Sequence, residues 1–323
     1  MNPLVSIGIP IYNVESYIER CARSLFEQTY RNIEYVFVDD CSLDCSIDVL
    51  RTTLKDYPNR IGCVKIVKQS MNTGSSAVRN KAVSMMSGEF MMWVDSDDFV
   101  ELDIVEKFVC AQQQNNADIV TCNTIVHQLK GRNQTMISPM YTTSKEMTLL
   151  LLRKRVPISL WARLIRLSLY VENCIQCLDG INNAEDYQVM PRLAFFAAKV
   201  CSIDDVLYHY NCTNISSYTA SYSPKLAEQV IISVNLLEQF FQDKGSDYID
   251  ALSHAKAEIL ARDLVKCCRY GYKEHYYITR KIIDKLDKHY LISLPFPFKF
   301  LLKLSNYYVA MIYVKLASVF KGQ

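Results

Sequence analysis

An apolar run passes directly into a cluster of carboxylates in Phe90-Met91-Met92-Trp93-Val94-Asp95-Ser96-Asp97-Asp98. The first five residues predict a buried strand. The three carboxylates that follow repel one another, which is costly unless a cation compensates. Such oxygen-rich sites suit Mg²⁺ or Mn²⁺, held by one or two carboxylates and substrate phosphates. Taken alone, the run is equally well explained as a solvated turn in which Asp98 caps the next helix.

Alternating strands and helices surround this stretch. Apolar runs predict strands at 4–9, 33–38, 64–67, 90–94 and 119–122. Helical spacing predicts helices at 14–25, with Asn13 as N-cap, and at 47–54, 77–86 and 104–111. This order predicts right-handed crossovers and a Rossmann-like, largely parallel sheet, hence an α/β fold. Ligands of such sheets bind beyond the carboxyl ends of the strands, where Asp39-Asp40 and the acidic run both lie.

Two further segments carry polar side chains at positions of interest. Asp39-Asp40-Cys41-Ser42-Leu43-Asp44 follows a predicted strand, where a carboxylate accepts hydrogen bonds from a base or ribose. Helix capping by Ser42 or Asp44 explains it as well. Asn72-x-Gly74-x-x-x-x-Arg79-Asn80 leads from a turn into a helix, and such helix N-termini favour anions. Arg79 therefore reaches a phosphate, locks the acidic clusters, or pairs with a purely structural carboxylate.

In their order along the chain, these segments resemble the inverting family-two glycosyltransferases of GT-A fold. The matching elements, over residues 3–100, are Pro10-Ile11-Tyr12-Asn13, Ser24-Leu25-x-x-Gln28-Thr29-Tyr30, Glu34 to Asp40 with Ser42 and Asp44, Asn72-x-Gly74, Ala77-x-Arg79-Asn80, Gly88-Glu89-Phe90 and Asp95-Ser96-Asp97-Asp98. Cys41 departs from the family, which usually has glycine there, and this tightens the steric limits of the turn. The resemblance implies a GT-A nucleotide-diphospho-sugar transferase fold with a helical C-terminal region.

The resemblance also implies roles for the matched residues. Asp40 would contact the nucleotide base, with uracil preferred, and Pro10 would line the nucleotide pocket. Asp97, together with Asp95 in a DxD element, would bind the Mn²⁺ or Mg²⁺ that bridges the donor diphosphate. The implied donor-binding residues are Pro10, Tyr12, Asp40, Arg79, Asp95 and His209, and the implied metal ligands are Asp97 and Asp95.

A candidate base lies downstream, in Asn182-Asn183-Ala184-Glu185-Asp186. Alone, two acids at a helix start are favourable helix-dipole chemistry and nothing more. The family, however, has a Glu-Asp pair after a Trp-x-Lys/Arg-Leu element, which here is Trp161-Ala162-Arg163-Leu164-Ile165. The resemblance therefore implies that Asp186 is the general base that takes the proton of the acceptor hydroxyl.

Aromatic side chains are open to two interpretations. Tyr208-His209-Tyr210 follows a predicted strand, and the family often has an aromatic-rich segment here. His209 either contacts the diphosphate or belongs to an aromatic cluster at the core or rim. Trp161 either stacks on an acceptor sugar or is a core residue.

Composition narrows the functional classes. Lys and Arg number 36 against 34 Asp and Glu, so net charge gives no case for nucleic acid as a partner. The twelve cysteines are interpreted mostly as reduced core residues, and the one CxxC, Cys174 to Cys177, lacks a second metal-binding pair. The sequence shows no signal peptide and no charge-free run of 18 apolar residues. We expect a cytoplasmic protein.

The C-terminal third, predicted to be helical over 224–323, mixes aromatic residues with lysines. The spacing of Lys281, Lys285 and Lys288 predicts that they share one helix face, and Lys299, Lys303 and Lys315 interrupt the aromatic segment that begins at residue 294. This pattern is typical of a helix at a membrane surface. Packing on the catalytic domain and a dimer contact are the alternatives. A peripheral position at the inner face of the cell membrane is the expectation.

The expected organisation is a catalytic domain over 1–220 and a helical region over 221–323. The catalytic domain would comprise a nucleotide-binding half (1–122) and an acceptor half (123–220). The expected activity is inverting transfer of one hexosyl or N-acetylhexosaminyl group from a UDP-sugar to a polysaccharide or lipid-linked saccharide. A non-catalytic nucleotide-sugar-binding or scaffolding homologue is the alternative. A dinucleotide oxidoreductase is disfavoured, because Gly8-Ile9-Pro10-Ile11 offers no GxGxxG.

Overall fold

The computed structural model describes residues 2–128, 131, 133–214 and 222–319. The chain forms two compact units. The first comprises Met1–Leu151 and Arg155–Ser217, and the second comprises Leu152–Lys154 and Tyr218–Gln323. The expected domain boundary between residues 220 and 221 lies outside the described residues and stays a prediction.

The first half of the first unit is a parallel α/β layer. Its strands are β1 (Val5–Ile11), β2 (Ile33–Asp39), β3 (Val64–Lys68) and β4 (Phe90–Trp93), in the spatial order β3-β2-β1-β4. All three pairings among them are parallel. The helices are α1 (Ile18–Phe26), α2 (Ser46–Leu54) and α3 (Ser75–Val83), with a 3₁₀ turn at Pro58–Cys63. The carboxyl ends of β1, β2 and β4 therefore meet at one edge of the sheet.

The second half continues the same sheet with mixed pairing. It contains β5 (Phe99–Val100), α4 (Ile104–Asn115), β6 (Ile119–His127), β7 (Gln134–Met136), α5 (Ser144–Leu152), β8 (Arg163–Arg166), α6 (Ser168–Glu172), α7 (Glu185–Phe196) and β9 (Val200–Asn211). The order runs on from β4 as β8-β6-β9-β5, with β7 on β6. β8 is antiparallel to both neighbours, whereas β6 and β9 are parallel.

Several boundaries differ from the sequence prediction for physical reasons. β1 continues through Pro10 to Ile11, because its pairing with β4 ends at Gly8 and the missing amide of Pro10 has no ladder partner to lose. Asn13 is not the N-cap of α1: its φ is +50° and its side chain accepts the Leu43 amide. The prediction that Tyr208-His209-Tyr210 follows a strand is wrong, since this segment lies inside β9.

Burial of the cysteines also differs from expectation. All twelve are free thiols, but only five are buried and four are exposed. In the CxxC pair, Cys177 is buried and Cys174 is exposed.

The second unit is helical. Its helices are α8 (Pro224–Phe241), α9 (Ser246–Tyr270), α10 (Lys273–Ile283), α11 (Lys288–Ile292), α12 (Phe296–Lys303) and α13 (Tyr307–Val319). The longest, α9, contacts each of the other five. Its apolar side chains Leu260 and Leu264 pack with Tyr276, Leu301 and Tyr307 in one core. Within the described part of the chain, each helix lacks the length or the apolar character needed to cross a bilayer.

Candidate active site

Three strand ends bring the nucleotide-binding candidates to one edge. The amide of Asp40 donates to the carbonyl of Ile11 at 2.9 Å, which places Asp40 beside Tyr12. The amide of Val94 donates to the carbonyl of Gly8 at 3.1 Å, so Asp95 follows on the other side of β1. Pro10 is partly buried and Tyr12 is exposed. The sheet therefore places Pro10, Tyr12, Asp40 and Asp95 along one edge.

Asp40 organises the turn that precedes α3. Its Oδ1 accepts the Thr73 amide at 2.7 Å and the Gln69 side chain at 3.2 Å, and its Oδ2 accepts the Gly74 amide at 2.8 Å. Gly74 has a φ of +88°, and a Cβ there would meet the side chain of Asn182. The turn therefore requires glycine. Asp40 is held by several donors at the sheet edge, in the strand-end position expected for a base-binding carboxylate.

Arg79 is the cation at the centre of the site. It lies on α3 and is 5% exposed, and its Nη2 is 2.9 Å from Asp95 Oδ1. Its Nε lies 3.8 Å from Glu185 and 4.0 Å from Asp186. Burial lowers the pKa of Arg79, but the charges of Asp95, Asp186 and Glu185 outweigh it and raise the pKa. One buried guanidinium thus joins the acidic run to the Glu-Asp pair.

Within the acidic run, Asp98 differs from its neighbours. It is fully buried, and it accepts the Tyr208 hydroxyl at 2.6 Å and the Asn211 amide at 2.7 Å. Burial raises its pKa, and the charges of Asp95 and Asp97 raise it further. Asp98 does not cap α4, whose N-cap is Asp103. It anchors the acidic turn to β9.

Asp97 is a largely desolvated carboxylate next to Asp95. Its Oδ2 accepts the Asn214 amide group at 2.9 Å. Burial raises the pKa of Asp97, and the charge of Asp95 raises it again. Among the described residues, Asp95 and Asp97 are not part of a compact group of three ligating side chains. Two carboxylates without a third ligand match the way Mg²⁺ and Mn²⁺ bind when substrate phosphates complete the shell.

Glu185 and Asp186 begin α7 beside Arg79. The Asn182 side chain accepts the Ser76 amide at 3.2 Å, which ties the turn before α7 to the start of α3. Asp186 Oδ2 accepts the Leu160 amide at 3.3 Å, while Oδ1 is buried without a hydrogen-bond partner among the described residues. Burial and the neighbouring Asp186 charge raise the pKa of Glu185 to about 7. Burial also raises the pKa of Asp186, an effect that Arg79 opposes.

His209 and Trp161 are integrated into aromatic packing. His209 stacks on Phe99 at 4.2 Å, and its two ring nitrogens lie 2.7 Å from Glu101 and 3.0 Å from His127. Contact with a diphosphate would require one of these partners to leave, so that role stays a prediction that these contacts do not favour. Trp161 is 8% exposed and stacks on Tyr208 at 4.7 Å. The structure supports the second interpretation of Trp161, that of a core residue.

The chain was compared with known proteins. Residues 6–169, about half of the chain, match the family model described as glycosyl transferase family 2. The chain belongs to glycosyl transferase family 2. The resemblance carried by the N-terminal motifs is confirmed, and the protein is a glycosyltransferase.

Individual relatives agree with this assignment. EpsH of Bacillus subtilis, a protein named as a glycosyltransferase, is 31% identical over 250 residues, which cover 75% of this chain and 70% of EpsH. TarS 1–349 of S. aureus, solved with UDP-GlcNAc, superposes with a TM-score of 0.75 at 19% identity, covering 99% of this chain and 92% of the TarS 1–349 chain. A Pyrobaculum calidifontis mannosyltransferase, solved with GDP-Man and Mn²⁺, superposes with a TM-score of 0.57 at 15% identity. The match covers 100% of this chain and 89% of the mannosyltransferase chain. These likenesses confirm the GT-A fold.

Some residues of this family-2 site were not identified from the sequence. Tyr208 and Asn211 hold Asp98, and Asn182 ties the turn before α7 to α3. Tyr208 and Asn211 lie more than 100 residues from Asp98, so only the three-dimensional pairing of β5 with β9 brings them together. Asn182 had a local signal, since it stands three residues before Glu185.

Proposed function

We propose that this glycosyltransferase moves one sugar, with inversion, from a nucleoside-diphosphate sugar to a growing polysaccharide or lipid-linked saccharide. The observation that carries the proposal is the contact of Arg79 with both Asp95 and the Glu185-Asp186 pair. It places a candidate metal ligand and a candidate base around one buried cation. A donor diphosphate near Asp95 would then have its anomeric carbon close to Asp186.

UDP is the nucleotide that the proposal favours. Asp40 occupies the strand end at which the family resemblance implies contact with uracil, and exposed Tyr12 lies next to it. TarS was solved with UDP-GlcNAc, which supports a UDP-sugar. The P. calidifontis mannosyltransferase was solved with GDP-Man, so the shared fold accepts another nucleotide. A panel of donors is therefore the right test.

Asp97 and Asp95 are proposed to hold Mn²⁺ or Mg²⁺. Their oxygen ligands suit these hard cations. Burial raises the pKa of Asp97 and the charge of Asp95 raises it further, and a divalent cation would offset both effects. When bound, the metal supplies neutralisation of the diphosphate leaving group. Arg79 keeps Asp95 in place from the buried side. The side-chain amide of Asn214 orients Asp97 by donating a hydrogen bond to Asp97 Oδ2.

Asp186 is proposed to take the acceptor proton. Its Oδ1 is buried towards Arg79, so Oδ2 is the oxygen assigned to this task. As the acceptor oxygen forms a bond with the anomeric carbon, its proton passes to Oδ2 and the bond to the diphosphate oxygen breaks. The nucleoside diphosphate leaves with the bonding electrons. A single displacement inverts the anomeric configuration and needs no covalent nucleophile.

Donor binding tests the metal proposal directly. Titrating the protein with UDP-, GDP- and dTDP-sugars, with and without Mn²⁺, should show binding of at least one donor that depends on the metal. Asp97→Asn should weaken this binding at least about tenfold, the size of loss typical for a residue that supports a bound metal. Asp103→Asn is the control, because Asp103 carries the same charge nearby but pairs with Lys107. Absence of metal-dependent binding for every nucleotide would contradict the proposal.

Peripheral membrane binding is also proposed, through helices α11 to α13. Residues 288–323 contain five lysines and no acidic residue. The same helices expose large apolar side chains, among them Ile292, Phe296, Tyr308, Ile312 and Leu316. Aromatic and aliphatic groups beside lysines, in a segment without acidic residues, complement an anionic lipid surface. A lipid-linked acceptor would be presented at such a surface.

Flotation with vesicles checks this surface. The full-length protein should float with vesicles that contain phosphatidylglycerol. It should remain in the unbound fraction when the vesicles are purely zwitterionic. Reversing Lys299, Lys303 and Lys315 to Glu should lower the partition by about a hundredfold, since each lysine near an anionic surface contributes roughly fivefold. Lys225→Glu with Lys244→Glu, in the same unit, is the control. Equal flotation of the triple variant and the control would refute the assignment.

A further inference from the structure

A second cluster of ligating side chains lies in the helical unit, far along the sequence from the donor residues. Asp263 and Cys267 stand four residues apart on α9, so they share one helix face. His275 comes from α10, which packs on α9. All three side chains are buried. Among the described residues, Asp263, Cys267 and His275 are the one group of three or more His, Cys, Asp or Glu side chains that lie close enough to share a metal ion.

Distances within the cluster approach those of a coordination shell. His275 Nε2 lies 3.1 Å from Asp263 Oδ2, and Cys267 Sγ lies 4.0 Å from the same oxygen. All three ligand atoms fall within 4.8 Å of one another. In tetrahedral zinc, bonds of about 2.0 to 2.3 Å place the ligand atoms roughly 3.3 to 3.7 Å apart. The widest pair of ligand atoms would therefore close by at most about 1 Å to complete the shell.

An unpartnered atom points to a missing ligand. His275 Nε2 is buried and has no hydrogen-bond partner within the described part of the chain, although Asp263 is close. The contact lacks hydrogen-bond geometry, so the ring nitrogen stays unsatisfied in the protein alone. Buried polar atoms of this kind are uncommon and require an explanation. A cation between His275, Asp263 and Cys267 would satisfy the nitrogen.

Outer partners hold the carboxylate in place. Thr279 donates to Asp263 Oδ2 at 2.6 Å, and Tyr222 donates to Oδ1 at 2.6 Å. Tyr222 Oη is also 3.4 Å from Cys267 Sγ. Hydroxyl groups that orient a ligating carboxylate are a regular feature of metal sites. The fourth ligand would be a water or the Tyr222 oxygen.

We propose that Asp263, Cys267 and His275 bind one Zn²⁺ that fastens α10 to α9. A thiolate, an imidazole and a carboxylate favour zinc over the hard cations that suit the donor site. On binding, the Cys267 thiol loses its proton to solvent as the sulfur–zinc bond forms, and His275 binds as the neutral ring. The role is structural, because the metal joins two helices through side chains that the transfer chemistry does not use.

Cobalt substitution tests the proposal on the full-length protein. The chain, purified with chelator and then titrated with Co²⁺, should take up one equivalent with a thiolate-to-cobalt charge-transfer band, and Zn²⁺ should remove that band. Cys267→Ala should lose the band and the bound equivalent. Cys268→Ala is the matched control, since Cys268 is the adjacent buried thiol outside the cluster and should retain both.

Two further variants keep the outcomes separate. Asp97→Asn removes the candidate donor metal site, which contains no thiolate, and should leave the cobalt band unchanged. If Cys267→Ala does not fold, judged by circular dichroism, His275→Gln carries the same comparison. The proposal is overturned if wild-type protein shows no thiolate band, or if Cys268→Ala loses it as fully as Cys267→Ala. That result would leave Asp263 as the centre of a hydrogen-bonded network only.

Discussion

Replacing Asp186 with asparagine is expected to reduce sugar transfer by about 10² to 10⁴-fold, the contribution of a positioned general base. Donor binding should stay close to wild type, because Asp186 is assigned to the acceptor and not to the nucleotide. Asparagine keeps the shape and can still accept the Leu160 amide through its carbonyl oxygen. What it loses is the basic oxygen, so the defect should lie in the rate of transfer.

Two measurements separate this outcome from a folding defect. Nucleoside-diphosphate release in the presence of acceptor gives the rate, and donor titration with Mn²⁺ gives the affinity. Asp179→Asn is the control: Asp179 is exposed, lies seven residues upstream, and bonds to Asn80. The Asp179→Asn variant loses the same charge as Asp186→Asn and should keep full activity. Unchanged turnover in Asp186→Asn would show that another group takes the proton.

Motif order was sufficient to predict where the candidate donor residues lie. Asp40 and Asp95 follow apolar strands, and parallel strands deliver such residues to one edge. Asp186 required the family resemblance, because a Glu-Asp pair at a helix start has no distinctive pattern. Cys41 adopts a φ of +63°, which accounts for the usual glycine at that position. These features are local, and the sequence is enough to identify them.

Long-range pairing could not be predicted in the same way. Arg79 was expected either at the phosphates or on Asp95, and the structure shows it buried against Asp95, Glu185 and Asp186 together. His209 was expected either at the diphosphate or in an aromatic cluster, and the structure shows Glu101 and His127 at its two ring nitrogens. These partners come from different strands and helices, so no spacing in the sequence records them.

Replacing Arg79 with glutamine is expected to destabilise the first unit by about 3 to 5 kcal/mol near pH 8, the range for removing one partner of a buried ion pair. Arg79 is 5% exposed and faces three carboxylates. Glutamine leaves those charges uncompensated in the protein interior. Urea unfolding followed by tryptophan fluorescence measures the effect, since both tryptophans, Trp93 and Trp161, belong to the first unit.

Arg20→Gln provides the control for Arg79→Gln. Arg20 is exposed and lies over the Phe99 ring next to the same acidic run. The Arg20→Gln variant loses an equal charge from the same neighbourhood. Its free energy of unfolding should fall by less than about 1 kcal/mol, as for exposed ion contacts. Arg79→Lys should recover part of the stability, because it restores the charge but not the planar fork. Equal losses in Arg79→Gln and Arg20→Gln would contradict the central role of Arg79.

The dependence on pH identifies the cause of the loss. In the wild type, burial raises the pKa of Glu185 to about 7 and also raises that of Asp186, while Arg79 lowers both. Without Arg79 these pKa values rise further above those of the unfolded chain. The folded variant then binds protons more tightly than the unfolded one, so its stability increases as pH falls. The deficit should be largest well above pH ~7 and shrink as pH falls, because Glu185 becomes neutral in the variant at a higher pH than in the wild type, and Asp186 continues the decrease below pH ~7. A deficit that stays constant over this range would mean that lost packing on Trp93, and not uncompensated charge, destabilises the variant.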